Sequence, residues 1–338
     1  MDYQEIMDEI AGGLTGNLEE DLNYLARQQE RYMAHPLSAE ILGGIYRLIY
    51  KMLPEEGKES FIKTAEKEQH HFDAILLEAR YRLMEKDLEG AERLIECIMP
   101  SEKISGEEGS HCLEFDNALE YLFYVNRFGA DREIEQPALS VAELYLLYAY
   151  ILIEKGEFEK AFDVIDRALE RKPLFTDIMF EKAEIYKLKS DMDGFFRATV
   201  ETFPYCYRRE DIARYFRNLG YFFIEKEDWP EAMFCYIVST HWHPTEMAES
   251  QMFYITSKSG YVFEAENINP CRQKLEEYGA PFYPEPLWVS CSIYMGDLAK
   301  QEKEYEGALS YYSVAYDLTE DNTILAKMEE CRAHLQDA

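Results

Sequence analysis

Basic residues are scarce in this chain. Lys and Arg number 35 against 66 Asp and Glu, a formal net charge of −31 and a pI near 4.6. That shortage argues against nucleic acid or an anionic membrane surface as a partner, since phosphate contacts need clustered Lys and Arg. It favours a basic partner, although an acidic exterior also simply keeps a protein dispersed. Paired cysteines are missing too. Seven cysteines lie scattered at positions 97, 112, 206, 235, 271, 291 and 331 with no C-x-x-C. An odd number in a chain this long reads as reduced, buried thiols of a cytoplasmic protein rather than a disulfide framework. The longest apolar run, YLLYAYILI, ends at Glu154 and falls well short of the roughly 20 residues of a membrane span. The amino end, MDYQEIMDEIAGG, is acidic and has no positive region before an apolar core, so no signal peptide is expected.

Catalytic signatures are equally absent. The sequence has no G-x-S-x-G, no Gly-rich phosphate loop and no H-E-x-x-H. Its close histidine pairs, His70-His71 and His241/His243, stand one and two residues apart. Two helical metal ligands need a spacing of three or four to share a face. No catalytic residue, metal site or cofactor is expected, and the chain does not read as an enzyme.

What the sequence does contain is helix. Hydrophobic residues make up 47% of the 338 positions, enough for a core in two ordinary domains or one helical solenoid. Asn17 with Glu20 predicts a capped helix running to about Ala34, before the His35-Pro36 break. Ile41, Ile45, Leu48, Ile49 and Met52 follow helical spacing, and Pro54 is predicted at the first position of the next helix. Residues 100–111, rich in Ser, Gly and Glu, predict a mobile surface loop. Leu113–Phe128 reads as a Tyr- and Phe-rich helix, whereas Gly129–Leu139 shows too little periodicity for a second one. Further on, 247–258 and 270–278 read as helices, with the Pro-rich GAPFYPEP after them, and a last helix covers about 321–336.

The stretch from Ser140 to Pro173 sets the frame for the rest. It forms two amphipathic halves around Lys155-Gly156-Glu157, and Ser140 with Glu143 makes a second capping box. Tyr145, Tyr148, Ala149 and Leu152 share one face of the first half; Ala161, Ile165 and Ala168 share one face of the second. This pattern resembles the tetratricopeptide repeat, a helix–turn–helix unit of about 34 residues. Similar units lie near 72–105, 142–175, 176–209, 213–246 and 289–322. Glu78 and Arg82 occupy positions in the first where the family prefers apolar residues. The anchor alanines Ala91, Ala161, Ala232 and Ala308 stand at near-multiples of the repeat length.

The resemblance implies an all-α, right-handed α-solenoid over 71–338 with a C-terminal capping helix. A divergent cap of helical hairpins would precede it over 1–70. It also implies a protein- or peptide-binding scaffold in which the first helix of each repeat lines a concave groove. The matching positions give Leu146, Tyr150 and Ile153, then Phe180, Glu184 and Lys187, then Arg214, Arg217, Tyr221 and Ile224. From these, the expected partner-binding set is Leu146, Tyr150, Ile153, Phe180, Lys187, Arg214, Arg217 and Tyr221. The Lys/Asn carboxylate clamp by which some family members hold chaperone tails is missing. Arg208, Arg209, Arg214 and Arg217 crowd ten residues of a negatively charged chain. They suit either a grip on a carboxylate or ion pairs with neighbours such as Glu210 and Asp211. A different reading of the same charge is an acidic sequestering inhibitor, immunity- or antitoxin-like, that neutralises a basic or nucleic-acid-binding protein.

Overall fold

The computed structural model describes residues 3–33, 35–65, 69–99, 111–129, 134–135, 137 and 141–336. In chain order the helices are α1 (Tyr3–Gly12), α2 (Leu18–Tyr32), α3 (Ser38–Met52), α4 (Glu55–Ala65), α5 (Gln69–Met84) and α6 (Leu88–Ile98). Then come α7 (Ala118–Phe128), α8 (Ala142–Glu154), α9 (Phe158–Arg171), α10 (Thr176–Leu188), α11 (Met192–Thr202) and α12 (Arg209–Glu225). The series closes with α13 (Trp229–Trp242), α14 (Glu246–Ser259), α15 (Ile268–Glu277), α16 (Pro286–Gln301), α17 (Tyr305–Thr319) and α18 (Asn322–Gln336). Among the described residues the one strand pairing joins His111–Cys112 (β1) to Ile134–Glu135 (β2), two residues each. The fold is all-α, and the chain divides into two compact units, 1–113 with 134–168 and 114–133 with 169–338.

The helix–turn–helix pairs are closed by one recurring device. Lys86, Gly156, Ser190, Glu227 and Lys303 all carry positive φ, between 58° and 74°. Each holds the same position of its repeat, just after the first helix. The next residue then donates its backbone N–H to a carbonyl five residues back: Asp87 to Arg82, Glu157 to Leu152, Asp191 to Tyr186, Asp228 to Phe223 and Glu304 to Ala299, at 2.8–2.9 Å. This left-handed closure satisfies a last-turn carbonyl and reverses the chain. Asp87 and Asp191 also cap the second helix by accepting from Gly90 and Gly194.

Packing between the paired helices follows from side-chain size. Gly220 lies against the Tyr236 ring, where a Cβ would come within 2.7 Å of it; Gly296 lies against Tyr312 in the same way, at 2.5 Å. Ala79 and Ile95, Ala149 and Ile165, and Ala183 and Thr199 hold the corresponding positions and are fully buried. A ring is therefore matched by glycine and an aliphatic or hydroxyl side chain by alanine, which keeps the volume at the seam nearly constant.

In the first unit, α1, α2 and α3 enclose Ile6, Ile10, Leu25, Ile41 and Ile45. Asn17 caps α2 by accepting from the Glu19 and Glu20 N–H groups, but Glu20 does not reach back to complete a box; the Asn17 N–H bonds to Thr15 Oγ1. Pro54 precedes α4 and supplies its first carbonyl, to Lys58, instead of opening the helix. The polar pair Glu78 and Arg82 has a physical reason to be there. Glu78 is buried and held by Arg47 at 2.9 Å and Arg82 at 3.3 Å, with Arg47 lying 3.5 Å over the Tyr81 ring. The predicted loop at 100–110 and the Ser140 cap lie outside the described residues, and Val141 precedes α8 without a side-chain cap.

In the second unit, α7 solves a problem left by its own sequence neighbourhood. No helix follows it among the described residues up to Val141, so its apolar face meets α16 instead. Phe123 stacks on Trp288 at 3.7 Å and 7°, and Arg127 pairs with Glu285 at 3.0 Å. Trp288 donates its indole N–H to the Pro204 carbonyl at 3.1 Å. Glu120 is buried and accepts from the Asp116 N–H and the Tyr207 hydroxyl; burial raises its pKa above the ordinary carboxylate value. Five of the seven cysteines are buried, but Cys97 is exposed and Cys112 half-buried, so the expectation of uniformly buried thiols is corrected at those two.

Candidate functional site

The arginine-rich stretch becomes helix α12. Glu210 and Asp211 in its first turn suit the positive end of the helix dipole, and the helix runs 17 residues to Glu225. Helical geometry then separates what looks in sequence like a single cluster. Arg208 precedes the helix and turns back on it, donating to Asp211 at 2.8 Å, Asp177 at 3.2 Å and Thr176 at 3.0 Å. Arg209 reaches the far end of α13, where it donates to the Trp242 and His241 carbonyls at 2.9 Å each. These two arginines are structural.

Arg214 and Arg217 point elsewhere. Arg214 lies 4.8 Å over the Phe180 ring and donates to Glu181 at 2.7 Å. Glu181 is buried, and burial raises its pKa against the opposing pull of Arg214. Arg217, one turn on, is half-buried, and its Nη1 is fully shielded from solvent with no hydrogen-bond partner. It makes no ion pair with any described residue. Burial, and then the neighbouring Arg214, lower its pKa, yet a guanidinium stays charged at neutral pH. An uncompensated cation half out of water is costly, and in a chain of net charge −31 it is conspicuous.

A third element completes the strip. Tyr221 packs edge-on against Phe195 at 5.8 Å, and Lys187 on α10 places its ammonium 4.9 Å over the Tyr221 ring. Lys187 also pairs with Glu184 at 2.9 Å. Phe180, Lys187, Arg214, Arg217 and Tyr221 thus come together on α10 and α12 of the second unit. Phe180 is fully buried and acts as the floor under Arg214, not as an exposed groove residue. Leu146, Tyr150 and Ile153 stand on α8 of the first unit, with Leu146 buried and the other two half-buried. Sequence reasoning missed Glu181. The only available signal was its place beside Phe180, 33 residues before Arg214, about one repeat length away.

Chemically, the strip offers two guanidinium groups at a spacing of three, one pre-positioned on an aromatic ring and one unpaired. Such a pair suits a carboxylate, which accepts two parallel N–H bonds from a planar fork. No group of three or more His, Cys, Asp or Glu suited to a metal ion occurs among the described residues. Cys206 and Cys235 are buried, and burial raises both thiols well above their ordinary pKa, so they stay protonated. No helix is long and apolar enough to cross a membrane, among the described residues.

A family model described as tetratricopeptide repeat matches residues 142–185. No curated protein matches the chain. Among solved structures, one from a study of Pseudomonas aeruginosa pilF is 13% identical, covering 81% of this chain and 99% of that one, with a TM-score of 0.39. A tetratricopeptide repeat protein from Parabacteroides merdae is 10% identical over 98% of both chains, with a TM-score of 0.36. A chain of the APC/C hetero-tetramer Cut9–Hcn1 is 11% identical over 94% of this chain and 61% of that one, with a TM-score of 0.32.

Proposed function

We infer that this tetratricopeptide-repeat protein is a non-enzymatic scaffold that holds a carboxylate-bearing segment of a partner protein along α10 and α12. The observation that carries the reading is the unpaired guanidinium of Arg217 beside Arg214. A partner carboxylate entering there supplies the missing counter-charge and exchanges an unfavourable half-buried, unpaired cation for a bidentate pair. Tyr221 and the methylene stem of Lys187 offer apolar surface to the residues flanking that carboxylate.

The test is a displayed peptide library selected on the full chain. The selected peptides are then titrated against wild type, Arg217→Leu and Arg214→Met. Selected peptides should carry Asp, Glu or a free C-terminal carboxylate at one fixed position. Either substitution should weaken them about tenfold or more, the scale of a lost charge-assisted pair. Peptides that bind both variants as tightly as wild type would remove the strip as the binding surface. A strongly salt-sensitive preference for Lys- and Arg-rich peptides, indifferent to both variants, would support the acidic sequestering reading instead.

A further inference from the structure

Helix α14 begins a repeat that the chain does not finish. In each closed hairpin the seam residue stands seven positions before the left-handed residue of the turn, as Ala79, Ala149, Ala183, Gly220 and Gly296 do. The left-handed residue after α14 is Gly260, with φ 71°, and its seam residue is Phe253. The face towards the preceding hairpin keeps register. Ala248 and Ile255 are fully buried there, like Tyr215 and Phe222 at the matching positions of α12, and α14 packs on α13. The closure fails one residue later. Tyr261 donates its N–H to Ser259 Oγ at 3.0 Å instead of to a carbonyl five residues back. The chain leaves as a loop, and α15 packs on α13. Among the described residues no second helix covers the seam face of α14, and Phe253 is 76% exposed.

A helix that only closes a stack turns polar residues outward. α18 does so over α17, burying Ile324, Met328 and Cys331 while Glu329, Glu330 and Arg332 face solvent. α14 does not. Phe253, Tyr254 and Met247 are exposed along it, with Val262 just beyond its end. The face also has a definite relief. Ser250 and Ser257 lie three residues before Phe253 and four after it, hence beside it, and both are exposed. At the closed seams a small residue of the first helix meets a larger one of the second. Here the large residue is already on α14, so the helix that packs on it must bring a small one. The two ends of α14 carry opposite charges. Glu246 stands in the first turn and Lys258 in the last, both exposed, and neither makes an ion pair with a described residue.

We propose that this face docks a second copy of the chain, α14 against α14, antiparallel across a two-fold axis. The helix carries both halves of the match. With Phe253 of each copy over Ser250 of the other, Tyr254 runs beside the other copy's Met247 and Lys258 reaches its Glu246. The two-fold axis makes every such pair twice. A helix of another protein would need the same small residue and the same end charges, which α14 already supplies. The patch is one helix long, below the roughly 800 Å² per partner of a standard interface, so the dimer is weak, with a Kd on the order of tens of micromolar. The net charge of −31 on each copy opposes association further at low salt. The contact is separate from the carboxylate-binding strip and does not depend on it.

The experiment is sedimentation equilibrium of the full chain at about 0.15 M salt, which screens the net charge. The average mass should rise from monomer towards dimer between about 1 and 300 µM. Phe253→Glu, at an exposed position, should leave the thermal melt of the dilute protein unchanged and keep the chain monomeric throughout. Lys258→Glu and Glu246→Lys should each weaken the dimer about threefold or more, since each change sets like charges together twice. Both changes in one chain reverse the pair and should bring the Kd back to within about twofold of wild type. That recovery belongs to a contact between copies and would not follow from damage to the helix. A wild type that stays monomeric over the whole range overturns the proposal and leaves the face to a helix of another protein. A dimer that survives Phe253→Glu, or a double variant no better than the singles, overturns it equally.

Discussion

The hairpins α8–α9 and α12–α13 occupy the same positions in their repeats and differ in nearly every side chain that matters. Their turns hold Gly156 in one and Glu227 in the other, both with left-handed φ. Their seams hold Ala149 with Ile165 in one and Gly220 with Tyr236 in the other. At the positions proposed to meet a partner, α8 carries Leu146, Tyr150 and Ile153, whereas α12 carries Arg214, Arg217 and Tyr221. The lesson is that backbone register and seam volume define the repeat, while chemistry enters at positions the register leaves open. The hairpin that matches the family pattern is not the one with an uncompensated charge.

The seam is the place to break this comparison hardest. Tyr236→Ile should cost about 2–4 kcal/mol by leaving a cavity against a bare glycine. Gly220→Ala should cost about 1–3 kcal/mol, because its Cβ meets the fully packed ring. The double variant recreates the Ala–Ile seam of α8–α9 and should cost at least about 1 kcal/mol less than the sum of the singles. Urea unfolding of the four proteins measures the coupling, and strict additivity would show that the two hairpins do not share a volume rule.

The arginines come next in size. Arg208→Ala strips the buried Asp211 of its charged partner and should destabilise by about 2 kcal/mol, below the range for fully buried pairs because Arg208 is 40% exposed. Peptide binding at the strip should not change. Arg217→Leu should show the opposite profile, with stability equal to wild type or higher and binding lost. Thermal melts beside the peptide titration separate the two. If both variants lost stability alike, Arg217 would have an internal partner after all.

At the turns the expected effects are smaller. Glu227→Gly relieves a left-handed side chain and should stabilise by about 0.5–1 kcal/mol, while Gly156→Ala introduces the same strain and should destabilise by about 1 kcal/mol. Equal and slight effects of both substitutions on the melting temperature would mean that these turns are not the shared closure described above.

These contrasts show what a single sequence can and cannot carry. The helical hairpins were legible because small residues recur at fixed spacing and helical periodicity is local. The pairing of α7 with α16 was not, since Phe123 and Trp288 are 165 positions apart and nothing local links them. The strip was half legible. Positions gave Arg214, Arg217 and Tyr221, but which arginines had partners depended on Asp177, Glu181 and the carbonyls of α13, all brought in by tertiary packing. The stack of Phe234 with Phe263 and Phe282 was invisible for the same reason, since the three rings come from separate elements.

The smallest effect tests the strip from its acidic side. Glu181 is buried beside Arg214, and burial raises its folded pKa above the unfolded value, with Glu184 and Asp177 adding to the rise and Arg214 opposing it. The folded protein therefore binds the extra proton first. The stability linked to this group is fully present below the unfolded pKa of about 4.5 and is lost as pH rises through the folded pKa. Other carboxylates titrate over the same range, so the informative quantity is a difference between proteins. Glu181→Gln removes this contribution, and its stability relative to wild type should increase as pH is taken from 4.5 towards neutrality. Arg214→Met removes the opposing charge and should steepen the wild-type loss over the same interval. Urea midpoints at half-unit pH steps resolve both slopes. A wild-type minus Glu181→Gln difference that is flat or of opposite sign would mean that Arg214 fully compensates Glu181, leaving Arg217 as the one unbalanced charge of the strip.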